Sequence, residues 1–84
     1  MKVNNSEVGR RINSIRKDMG INQEDFGKRI YDAHKSLVSK WEKGQSLPNN
    51  ERLKKIAEIG GISVNELLHG DFESYCYGIF DAVN

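Results

Sequence analysis

The chain has 84 residues, 37% of them hydrophobic and 30% charged, with one proline, eight glycines, one cysteine and a net charge of +1. That suits a single small domain of short helices and leaves too little apolar material to wall a catalytic pocket. No apolar run is long enough for a membrane span or the core of a signal peptide, and the lone Cys76 cannot close an internal disulfide, so a cytoplasmic location is expected.

Val8, Ile12, Ile15 and Met19 recur at helical spacing, Asn5 or Ser6 is available as N-cap and Gly20 as the stop, which predicts a first helix over 6–19. Asn22 supplies the next N-cap, and Glu24 and Asp25 sit in a first turn where the helix dipole favours acids. A short second helix over 23–30 follows, with Phe26 and Ile30 inward. After Tyr31-Asp32-Ala33, the segment 34–43 turns Val38 and Trp41 inward and ends at Gly44, giving a third helix. The irregular stretch from Gln45 to Asn49 leads into a fourth helix marked by Leu53, Ile56 and Ala57, which stops before Gly60-Gly61. Ser63-Val64-Asn65-Glu66 is a capping box for a fifth helix that buries Leu67 and Leu68 and ends at Gly70. No segment alternates with period two for long enough to demand a strand, so the fold class is all-α.

The last residues differ from the rest. Phe72, Tyr75, Cys76, Ile79, Phe80 and Val83 would form one apolar stripe on a sixth, C-terminal amphipathic helix capped by Asp71. The chain then divides into a domain over 1–70 and an appended helix over 71–84. Four aromatics on so short a tail call for cover, either by the same domain, by a second copy in a homodimer through Phe72, Tyr75, Ile79, Phe80 and Val83, or by the remainder of a longer regulator. Charge is divided too, but earlier in the chain, after Lys55. All thirteen Lys and Arg lie between positions 2 and 55 with seven of the acids, while the rest of the chain holds five acids and no base. A basic half of this kind can meet a polyanion.

Catalysis finds no support. His34, His69 and Cys76 lack metal-ligand spacing, and there is no glycine-rich phosphate loop and no nucleophile motif, so neither enzyme activity, nor a metal, nor a cofactor is expected. The third helix is the chemically suggestive element. Lys35, Ser36, Ser39, Lys40 and Lys43 stand on one face opposite Val38 and Trp41, and every one is polar. Lys can donate to guanine O6 and N7 and Ser can pair with several base edges, which makes Lys35, Ser36, Ser39 and Lys40 the candidates for reading DNA bases, with Lys43 on phosphate. Leu37 and Trp41 read more simply as packing residues.

The run from Asn22 to Ile30, the run Ser36-Leu37-Val38-Ser39-Lys40-Trp41-Glu42-Lys43-Gly44, the pair Leu47-Pro48 and the run from Ile62 to Leu68 together resemble the lambda-repressor-like, XRE-type helix-turn-helix family over residues 7–70. The resemblance implies a compact five-helix domain whose third helix enters the major groove, and a sequence-specific regulator of transcription, commonly a repressor, bound as a dimer to a palindromic double-stranded operator. It also implies that Gln23 grips the DNA backbone where the second helix begins. Arg16 or Lys17, Asn49, Asn50 and Arg52 are further candidates for phosphates, and His34 either caps the third helix or meets a phosphate. Glu42 is expected to orient a neighbouring Arg or Lys or to add surface charge. One departure stands out: the turn Tyr31-Asp32-Ala33 has no glycine and is one residue longer than the family pattern, which leaves the register of His34 and Lys35 open by one position. A second reading makes the fold an antitoxin or bridging regulator whose main partner is a protein bound through the aromatic tail.

Overall fold

The computed structural model describes residues 3–70, which contain five α-helices and no strand. The expected sixth helix, and with it the interface assigned to Phe72, Tyr75, Ile79, Phe80 and Val83, lies outside the described residues.

The helices are α1 (Asn5–Met19), α2 (Gln23–Arg29), α3 (Lys35–Glu42), α4 (Asn50–Gly60) and α5 (Val64–His69). Each opens on a side chain that satisfies a backbone N–H left without an intrahelical partner. Asn4, Asn22 and Asn49 accept from the N–H of Glu7, Asp25 and Arg52, and Ser63 forms the full capping box with Glu66. The first helix therefore starts one residue before the expected 6–19. The asparagine just outside it reaches Glu7 N–H at 3.1 Å, and Asn5 and Ser6 are already helical. At the other end of the chain α4 runs through Gly60 and stops at Gly61, not before the pair. Gly60 belongs to the helix because Ile15 of α1 fills the space a side chain would take, whereas Gly61 takes the left-handed cap at φ 70°.

The core is Val8 and Ile12 of α1, Phe26 of α2, Ile30 and Ala33 beside the turn, Val38 and Trp41 of α3, Leu53, Ile56 and Ala57 of α4, and Leu67 of α5. Leu68, expected to be buried, is only half-buried and packs against this cluster from outside. No charged or polar residue is buried among the described residues. α3 lies in the middle of the arrangement, against both α1 and α2, while α5 closes on α1 and α4. Arg11 fastens that closure by donating to the Leu67 carbonyl at 3.0 Å. Burying Val38 and Trp41 between two neighbours fixes which face of α3 is left outside.

Candidate nucleic-acid interface

Lys35, Ser36 and Lys40 are exposed on that outer face, Ser39 is half-exposed at its edge, and Lys43 is exposed at the C-cap. The helix is shorter than the expected 34–43 because His34 is its N-cap, with Nδ1 accepting the Ser36 N–H at 3.1 Å. That leaves Lys35 as the first helical residue and resolves the register. The turn closes without glycine: Tyr31 and Asp32 both take left-handed backbone, at φ 52° and 58°. Such a conformation costs a side-chain-bearing residue about 1–2 kcal/mol, so the surroundings must hold it. They do so from two sides. Ala33 N–H donates to the Gly27 carbonyl at 2.8 Å, and Arg52 of α4 donates to the Tyr31 carbonyl at 3.4 Å.

Glu42 is the organising residue that sequence reasoning underestimated. Its carboxylate accepts from Asn13 at 2.8 Å, from Arg16 at 2.7 and 3.1 Å and from Gln23 at 3.1 Å. The Arg16 and Glu42 side chains are only 15% and 7% exposed, so this pair is largely shielded from solvent at the edge of the core, where it links α1, α2 and α3. Burial alone would push the Glu42 carboxyl up. The hydrogen bonds from Arg16, Asn13 and Gln23, with the Arg16 charge, outweigh that and hold it below the ordinary carboxylate range. The same carboxylate raises Arg16 against its own burial.

The remaining candidates fall into two groups. Gln23 stands at the first position of α2 with one amide hydrogen directed to Glu42, and Asn50 is exposed at the first position of α4. Asn49 uses its amide oxygen to cap α4, which leaves its amide nitrogen as a donor. Arg16 and Arg52 are placed differently. Arg16 spends three donors on Glu42 and the Ile21 carbonyl, and Arg52 reaches back to the turn. Asn13 was not foreseen at all, since nothing local ties it to a carboxylate 29 residues away.

A short capped helix, a tight turn and a second helix with a buried inner face and a bare polar outer face define a helix-turn-helix domain. Residues 12–67 match the family model described as helix-turn-helix, and the chain belongs to that family, in its XRE-type, lambda-repressor-like form. Its members are DNA-binding transcription regulators, and the chain is one of these. The fold is similar to that of the P22 c2 repressor protein in complex with a synthetic operator, at a TM-score of 0.71 and 33% identity over 76% of this chain and 96% of the other. The solution structure of the DNA-binding domain of the same repressor matches at a TM-score of 0.68 and 32% identity, over 81% of this chain and 88% of that one. In sequence the chain is also similar to the HTH-type transcriptional activator BcrR of Enterococcus faecalis, 28% identical over 89% of this chain. It spans less than half of that relative, 44% of its length.

Proposed function

We propose that the protein is an operator-binding repressor that sets α3 into the major groove of double-stranded DNA, with Lys35, Ser36, Ser39 and Lys40 on base edges. The single observation that carries this reading is the outer face of α3, left polar and exposed by the burial of Val38 and Trp41. Gln23, Lys43, Asn49 and Asn50 hold the flanking phosphates, aided by the free N–H groups where α2 and α4 begin. Arg16 works from behind, through Glu42, by fixing where Gln23 stands. His34 and Arg52 likewise support the reading surface from the cap and the turn.

Two copies acting as a homodimer would place their α3 helices one turn of B-DNA apart, about 34 Å, on a palindromic site and exclude polymerase. Repression is the reading we adopt because both P22 c2 structures are those of a repressor, at 33% and 32% identity to this chain, above the 28% of the activator relative. Selection from random duplexes, followed by a reporter carrying the selected site, tests the reading: reduced transcription supports it, and increased transcription assigns activation instead.

Within the selected site, Lys40→Ala is expected to cost about 1–3 kcal/mol and to relax specificity at one base pair. Lys43→Ala should weaken all sequences alike and shallow the salt dependence. Equal losses for Lys40→Ala on every sequence, read by titration at two salt concentrations, would remove it from the base-reading set. Dimerisation through 71–84 is tested by sedimentation of the chain beside a version ending at Gly70. A monomer that binds DNA weakly is expected, and a truncated dimer would move the interface into 1–70.

A further inference from the structure

Ser36 takes part in a contact that the base-reading role alone does not require. Its hydroxyl oxygen lies 2.8 Å from His34 Nδ1, the same nitrogen that accepts the Ser36 backbone N–H at 3.1 Å. A backbone N–H can only donate, so Nδ1 is an acceptor and the neutral imidazole carries its proton on Nε2. Opposite an acceptor the hydroxyl must donate. Its single proton is then committed inside the protein, and only oxygen lone pairs remain to face outward from the first turn of α3.

We infer that the His34–Ser36 pair fixes the polarity of Ser36 toward DNA, so that Ser36 selects adenine or cytosine on the strand it faces and disfavours guanine and thymine. Adenine N6 and cytosine N4 present amino hydrogens in the major groove, whereas guanine O6 and N7 and thymine O4 are acceptors there. An unconstrained serine can turn its hydroxyl to donate or to accept and tolerates all four bases. The restriction therefore comes from His34, a positioning residue that need not touch the base. The inference rests on the proposed seating of α3 in the groove.

The test measures base preference, which a purely structural role for His34 would leave alone. A site selected by the full chain is changed to each of the four bases at every position, and dissociation constants are compared for the wild type, Ser36→Ala, His34→Gly and His34→Asn. Glycine is tolerated at an N-cap at little cost, so His34→Gly removes the acceptor and keeps the helix start, while the Asn amide oxygen restores the acceptor. One position should favour A or C by about fivefold in the wild type, the worth of one net hydrogen bond. That preference should fall within about twofold in Ser36→Ala and His34→Gly and persist in His34→Asn, read as the ratio between bases at that position so that a change in overall affinity does not enter. A preference for G or T at the position that responds to Ser36→Ala, or a preference that survives in His34→Gly, overturns the inference while leaving DNA reading intact. If no variant selects any sequence, including the wild type, both this inference and the proposed function fall together.

Discussion

Glu42→Ala is expected to destabilise the domain by about 3 kcal/mol, because it strands the Arg16 guanidinium in a place where only 15% of that side chain meets water. Thermal unfolding should report a midpoint lower by about 15 °C. Replacing both partners, as Arg16→Met with Glu42→Leu, should cost less than the single change, since no uncompensated charge is left behind. A double variant as unstable as the sum of the two singles would mean that the pair is not coupled. Acid gives a second readout. The folded carboxyl is held below its ordinary value, so the stability it contributes is fully present above the unfolded carboxylate range, near pH 4.3. That contribution is lost as pH falls through the depressed folded value. Acid unfolding of the double variant should therefore begin less steeply than that of the wild type.

Gly27→Ala is the second substitution with a large expected effect. A methyl group at this position would collide with the Ala33 carbonyl oxygen and lie 3.1 Å from the Ala33 carbonyl carbon and 3.3 Å from Val38 Cγ2. Backbone cannot move aside as the tip of a flexible side chain can, so α2 and the start of α3 must separate, at a cost of about 3 kcal/mol. The Ala33 N–H bond to the Gly27 carbonyl is strained by the same displacement. Because His34 and Lys35 follow directly, affinity for a selected site should fall further than stability alone explains. Chemical denaturation together with titration onto that site checks both parts, and a variant with wild-type stability would show that the two segments are not pinned here.

Much of this architecture was legible because it is local. Asn22 three residues before Asp25, Ser63 three before Glu66, and apolar positions recurring at helical spacing are all short-range patterns, and each marks an element that formed as expected. The errors at element ends have a similar origin. Asn4 is as good a cap chemically as the Asn5 or Ser6 expected there, and Gly60 and Gly61 are equal stops until the packing of Ile15 against Gly60 is known. The outer face of α3 was also readable, since the same periodicity that buries Val38 and Trp41 exposes Lys35, Ser36 and Lys40. Glu42 was not. Its partners Asn13, Arg16 and Gln23 are 19 to 29 residues away, and only the folded crossing of three helices brings them together. The left-handed pair Tyr31 and Asp32 was hidden for another reason: Asp tolerates that conformation but Tyr rarely adopts it, and the missing glycine pointed away from it.

The turn also determines what can be exchanged between relatives. Tyr31 and Asp32 set the angle at which the chain enters α3, Arg52 holds that angle from α4, and His34 decides which residue becomes the first of the helix. A recognition helix borrowed from a protein with a shorter turn would arrive rotated by about 100°, one residue's worth of helix. Its side chains would keep their chemistry and lose their addresses. If α3 reads the operator as proposed, specificity travels as the block 31–40, and a graft limited to the visible face of α3 would carry the right letters in the wrong frame.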